Sequence, residues 1–226
     1  MTSVPSAATG RRPTAVVLVE AVSVAGFALA FAPLALRLAT GLGSPLALAG
    51  VLAGALVGWI AADIASGTVH WFCDRFFEED TPVVGRLLIY PFRDHHRDPR
   101  AMTRHGLLEL MGNSCLVLIP LALLVGARPQ PVALDAAVVS FSLALLLTNL
   151  FHCWAHSARV PRLVGRLQAW GVILPVAIHD AHHTAGHLGG YCVTSGWANR
   201  WMDGWGVFSR LERVLVALGV PATRQP

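Results

Sequence analysis

Four long runs of the chain are almost free of charged side chains, and the segments between and after them are dense in Arg, His and Asp. Residues 14–36, "TAVVLVEAVSVAGFALAFAPLAL", and 45–69, "PLALAGVLAGALVGWIAADIASGTV", are each long enough to cross a hydrocarbon core of about 30 Å as a helix. A third such run covers 107–127 and a fourth, "VALDAAVVSFSLALLLTNLF", 132–151. The apolar stretch 170–178 is too short to cross, so it is expected at the membrane interface or as a re-entrant segment. Arg11 and Arg12 resemble the n-region of a signal peptide. The run that follows is long, however, and ends without a small-x-small cleavage site, so it reads as a retained span. The pattern predicts an all-α integral membrane protein with about four transmembrane helices. Residues 14–212 form the membrane domain, between an N-terminal tail over 1–13 and a C-terminal tail over 213–226.

Composition agrees with that pattern: 54% hydrophobic and 13% charged residues lie far from the balance of soluble domains. All seventeen basic residues are Arg, a bias typical of a GC-rich bacterial genome. Their distribution sets an orientation. Four spans place both termini and the loop 70–106 on one side, with fifteen of the seventeen arginines, and leave Arg37 and Arg128 on the other. That side is expected to be the cytoplasm, and the membrane the bacterial inner membrane. Asp135 sits near a span end, where it is expected to reach water. Asp63 is deeper, where ionisable residues are costly and often functional. Cys73, Cys115, Cys153 and Cys192 are too far apart for a CxxC knuckle and read as free thiols. Trp154, Trp170, Trp197, Trp201 and Trp205 suit an interfacial belt better than a cofactor site.

The ten histidines all fall on the predicted cytoplasmic side. His70 ends the second span; His95, His96 and His105 precede the third; His152 and His156 leave the fourth; His179, His182, His183 and His187 follow. In "FHCWAH" the spacing of four lets His152 and His156 grip one ion from one helical face. In "HDAHH" the spacing i, i+3, i+4 predicts that His179, His182 and His183 converge on one side. The adjacent side chains of His95 and His96 diverge, toward two ions or toward one ion and a supporting carboxylate such as Asp94 or Asp98. Asp63, two turns before His70, is a similar candidate. The set is too large for one tetrahedral zinc, and the H-E-x-x-H protease signature is absent. A two-metal, imidazole-rich site fits it, with iron the natural ion for nitrogen ligands and dioxygen. Taken singly, His105 and His187 also suit hydrogen-bonded interfacial roles. A metal transporter remains a competing class, but its ligands belong along a path near the bilayer midplane rather than at one end of the spans.

Several strings together, "GTVHWFCDRF", "PFRDHHRDPRAMTRHGLLELMGNSC", "TNLFHCWAH", "LQAWGVILP" and "HDAHHTAGHLGGYCVTSGWANRWMD", resemble in order and spacing the plasmanylethanolamine desaturases of the lipid desaturase (Kua, or CarF-like) family. The resemblance covers roughly residues 66–212. It implies oxygen-dependent formation of the vinyl ether of plasmalogens from 1-O-alkyl phospholipids, at a di-iron centre held by the ten histidines. Plant members with an acyl-lipid substrate, or a hydroxylase using the same centre, are the alternatives. Asp74 and Asn149 join Asp63 and Asp94 as residues that would orient ligands, and Asn199 is a further polar candidate. Arg93, Arg97, Arg100 and Arg104 are candidates for the substrate phosphate, although the positive-inside bias alone also accounts for them. Gly171 and Ile178 stand where animal members carry histidine, so neither position is a universal ligand. No flavin, dinucleotide or haem motif is present. Electrons are therefore expected from a separate protein, such as a cytochrome b5-like donor, a ferredoxin or a flavodoxin. No nucleic-acid partner is expected.

Overall fold

The computed structural model describes residues 13–184 and 186–223. The N-terminal tail expected over 1–13, apart from Pro13, lies outside the described residues, with Arg11 and Arg12, as do Ala185 and Arg224. Four long apolar helices carry the architecture: α1 (Thr14–Thr40), α2 (Pro45–Arg75), α4 (Leu107–Gly126) and α5 (Val132–His156). Each is long and apolar enough to cross a membrane. Ser44 caps α2, its hydroxyl accepting from the Ala47 amide at 3.1 Å, with Pro45 in the first turn. Shorter helices, α3 (Tyr90–Arg97), α6 (Arg162–Ala169), α7 (Val176–Thr184), α8 (Asn199–Gly204) and α9 (Val207–Ala217), complete the chain. Among the described residues the only β pairing is one isolated bridge, Phe76 to Ala222. Helix α9 runs past residue 212, where the sequence reading begins the C-terminal tail.

The spans pack as two parallel pairs. Gly112 of α4 lies against Glu20 of α1, and Gly26 of α1 against Ile119, so these two helices run in the same direction. Gly54 and Gly58 of α2 meet the backbone at Ala133 and Ala137 of α5 so closely that a Cβ at either would strike a carbonyl oxygen. The Ser140 hydroxyl donates to the Ala55 carbonyl at 2.7 Å beside this contact. Small residues at this spacing let helix backbones approach where no hydrophobic drive holds them together. The register brings the C-terminal turns of α2 and α5 to the same end of the bundle. Both helices run beyond the apolar stretches that mark them in the sequence, to Arg75 and His156, and the added turns carry His70, Asp74, His152 and His156.

At the opposite end, Asp135 does not reach water. It is 2% exposed and receives a two-pronged ion pair from Arg37, Nε to Oδ2 at 3.0 Å and an Nη to Oδ1 at 2.8 Å. Arg37 also donates to the carbonyls of Gly126 and Val125, which joins the ends of α1, α4 and α5. The pair satisfies a carboxylate that the apolar surroundings would otherwise exclude. In the 170–178 stretch Ile173 and Leu174 are buried with Phe151, Ala155, Val164 and Val193, while Trp170, Val172 and Val176 face outward, as an interfacial segment would. Trp197, Trp201 and Trp205 are exposed as well, whereas Trp154 is half-buried.

Candidate metal centre

Five imidazoles, His95 from α3, His152 and His156 from α5 and His179 and His183 from α7, bring one nitrogen each within 4.8 Å of one another. His179 Nε2 stands 2.7 Å from His152 Nε2, 2.7 Å from His156 Nε2 and 3.0 Å from His183 Nε2. A neutral imidazole has one N–H, so four nitrogens crowded on one point cannot satisfy each other by hydrogen bonding. His95 is buried with neither ring nitrogen partnered, and His179 Nδ1 is likewise unpartnered. Burial, reinforced by the neighbouring imidazoles, holds His95 and His179 far below the ordinary histidine range and brings His183 down to about 4. These rings are neutral at physiological pH, the form in which imidazole binds metals.

A second group lies alongside: His70 and Asp74 from α2, His96 from α3 and His182 from α7, again within 4.8 Å. His70 Nδ1 lies 3.1 Å from the Tyr191 carbonyl, and His182 Nδ1 lies 2.6 Å from that of Gly189. A carbonyl only accepts, so both Nδ1 atoms carry the proton and both Nε2 atoms present lone pairs. Those lone pairs converge on Asp74 Oδ2, at 3.4 Å from His70 and 3.7 Å from His182, with His96 Nε2 also at 3.7 Å. Protonating Asp74 supplies one hydrogen for two lone pairs. A cation satisfies all of them. Ligands ~2.0–2.1 Å from one ion stand at most ~4.2 Å apart, close to the separations found in both groups. The groups adjoin: ring centroids of His70 and His152 are 6.1 Å apart, and those of His182 and His183 are 5.5 Å apart.

The lipid desaturase domain family matches residues 59–225, which contain every residue of both groups. The chain belongs to the lipid desaturase family. Its relatives include a plasmanylethanolamine desaturase of Myxococcus xanthus, 39% identical over 76% of this chain and 62% of the relative. Plasmanylethanolamine desaturase 1 of Mus musculus is 40% identical over 77% of this chain and 67% of its own length. The chloroplastic fatty acid desaturase 4 of Arabidopsis thaliana is 36% identical over 84% of this chain and 59% of its own. The chain thus spans about 62% of the bacterial relative and 67% of the mouse one. No solved structure matches.

Within this lipid desaturase fold, the α7 histidines do not share one side. His179 and His183 enter the first group and His182 the second, because side chains at adjacent helical positions point ~100° apart. His187 joins neither group but stacks on His96, ring centroids 4.1 Å apart. His105 is exposed, 3.7 Å from Glu109, and is not a member of either group. Asp63 supports the site at a further remove than expected. Its Oδ1 accepts from the amides of Thr194, Ser195 and Gly196 and its Oδ2 from that of Ala198, fixing the turn next to Tyr191, whose carbonyl orients His70. Asn149 donates to the Leu110 carbonyl, and Asn199 clasps the backbone of Cys192 in both directions. Asp94 lies beside Tyr90, and Asp98 pairs with Arg104 at 2.8 Å. Gly171 and Ile178 lie outside both groups: the Gly171 carbonyl accepts from the Trp197 indole, and Ile178 packs in the apolar core. Arg93 is buried and donates to the carbonyls of Cys73, Phe76 and Phe77. Arg97 pairs with Glu79, and Arg100 is exposed. The Gly189 and Tyr191 carbonyls, which set two tautomers, carry no side-chain signal. Their trace in the sequence is the Gly-Gly pair at 189–190, where Gly190 adopts a positive φ of 71° against His182.

Proposed function

We propose that this chain is an oxygen-dependent desaturase that converts a 1-O-alkyl phospholipid to its vinyl ether, with two irons held by the two ligand groups. The observation that carries the reading is the pair of adjoining acceptor clusters at one end of the apolar helices, in a chain whose relatives include plasmanylethanolamine desaturases. Iron in such sites supplies dioxygen activation, which desaturation of an unactivated C–C bond requires. The balance is one O2, two electrons and two protons in, two waters out, with one hydrogen leaving each of two adjacent carbons. Carbon one of an O-alkyl chain is the favoured start, because the neighbouring oxygen stabilises an electron-poor carbon.

The chain's own residues position rather than react. His70 and His182 are held by backbone carbonyls so that their Nε2 atoms face inward. The long apolar helices give the alkyl chain its route from the bilayer. Arg97, Arg100 and Arg104 remain the phosphate candidates, since Arg93 is committed to three carbonyls. Both termini and the metal centre face the cytoplasm of a bacterial inner membrane, where a separate electron-transfer protein delivers the electrons. Residues 14–212 act as the membrane domain between two tails. The similarity to fatty acid desaturase 4 supports a second reading, desaturation of an acyl chain by the same centre.

Lipidomics of cells with and without the gene separates the two. Acid-labile vinyl ethers that appear only with oxygen and a reductant are expected. A new acyl double bond with ether lipids unchanged replaces the alkyl reading with the acyl one. Metal accumulation with no lipid change points to transport instead.

A further inference from the structure

Both ligand groups have a half-buried edge, His156 and His183 in the first and His96 in the second, but the two edges meet different surroundings. A cleft of ≈ 860 Å³ opens between the 77–81 segment, α3 and Pro221–Ala222, and it reaches Asp74 and His96 of the second group but no member of the five-imidazole group. Asp74 lines its floor. It is 4% exposed, and neither carboxylate oxygen has a hydrogen-bond partner among the described residues. A carboxylate so buried is stable only beside a cation or when protonated, and here the converging lone pairs of His70 and His182 demand the cation. The cleft wall adds Glu78, Glu79 and Asp80, so four carboxylates face three arginines, one of which, Arg75, is drawn away by a two-pronged pair with Glu212. The balance is negative, and a negative cleft concentrates cations.

From this, and resting on the two-metal reading above, we propose that the two metal positions are unequal. Asp74 is a direct ligand of the second ion, and the acidic cleft is the route by which that divalent transition-metal ion enters and leaves. The first position has five imidazoles and no acidic cleft beside it, and without that attraction for incoming cations it is the slowly exchanging one. A mixed nitrogen and carboxylate ligand set is also harder than an all-imidazole one, so the two ions differ spectroscopically.

The full chain, purified in detergent and stripped of metal, is loaded anaerobically with Fe(II), and in parallel with Co(II), whose visible absorption reports its ligands. Metal content is read by mass spectrometry. Two ions per chain are expected, with a chelator removing one in a fast phase and the other slowly. Asp74→Asn should halve the content to one ion and erase the fast phase, while Asp74→Glu retains two. Glu79→Gln with Asp80→Asn should also retain two but slow uptake in the fast phase several-fold at low salt. That difference should vanish near ~1 M salt, where screening acts within about 3 Å. Two ions retained by Asp74→Asn, a single release phase in the unaltered protein, or uptake indifferent to the cleft charges overturns the inference and leaves the two-metal reading standing. The release phases and the cleft variants decide the matter even if Asp74→Asn does not fold. Fewer than two ions in the unaltered protein under all loading conditions removes both readings.

Discussion

Asp63 shows what a single residue does inside an apolar helix. Its side chain is fully buried, and its charge is met by four backbone amides of the 194–198 turn rather than by an arginine or a metal. Asp63→Ala leaves those donors unsatisfied, at ~1–3 kcal/mol for each that finds no new partner. The expected outcome is a thermal unfolding midpoint several degrees lower in detergent, with weakened metal binding because the turn next to Tyr191 no longer holds His70. An unchanged midpoint would show that the turn is set by other contacts. The imidazoles divide on a different ground. On the proposed di-iron reading, His183→Ala and His96→Ala, one in each group, should each lose iron and desaturation together, since each supplies one of the converging nitrogens. His105→Ala, exposed beside Glu109, should keep both. Iron content and vinyl ether yield measured on the same preparations check all three, and a His105 variant without metal would return that residue to the centre.

At the scale of elements, the parallel pair α2 and α5 works as one frame, because each helix ends in residues of the centre. Gly54 and Gly58 set its spacing by direct backbone contact with α5. Gly58→Leu puts a side chain where the carbonyl of Ala137 lies, and overpacking of this kind costs ~1–3 kcal/mol. It should also separate His70 from His152. The expected reading is lower thermal stability together with iron content below that of the unaltered protein; full iron content would show that the helix ends move independently of their middles. The sequence made the cores of the spans legible, since a run of about 20 apolar residues is a compositional signal. It did not show the end of α2, which remains helical after hydrophobicity fades, through His70–Arg75, and it marked the continuation of α5 through His152–His156 only by the spacing of those two histidines. Nor did it show the pairing, which rests on glycines whose role is the absence of a side chain. The histidines were legible as a set. Their division was not: it depends on the ~100° step between His182 and His183 and on the angle of α7 to its neighbours. Asp74 read as a residue behind the ligands, although its spacing of four from His70 on one helix was the visible sign of a shared face.

For the whole molecule, the fold fixes which groups share an end of the bundle. The C-terminal turns of α2 and α5 and helices α3 and α7 gather both ligand groups at one end, while the Arg37–Asp135 pair ties the opposite end together. Two consequences follow for orientation. Among the described residues, Arg37 lies at the opposite end and Arg128 on the turn between α4 and α5, while the other arginines lie on segments joined to the ligand-bearing end, a bias that on the proposed orientation puts that end in the cytoplasm. On the proposed desaturase reading the centre then faces the compartment where soluble or peripheral electron donors are reduced. The pair at the opposite end accommodates Arg37 there: its charge is neutralised by Asp135 and its remaining donors are taken by carbonyls. Cysteine labelling tests this directly, because Cys73, Cys115, Cys153 and Cys192 are all buried and give little background. With a membrane-impermeant maleimide on intact cells, Arg128→Cys, on the turn between α4 and α5, should label at once. Arg100→Cys, on the exposed segment before α4, should label only after the inner membrane is opened. The reverse pattern would place the metal centre on the outer face, away from cytoplasmic electron donors, and would require both the orientation and the source of electrons to be replaced.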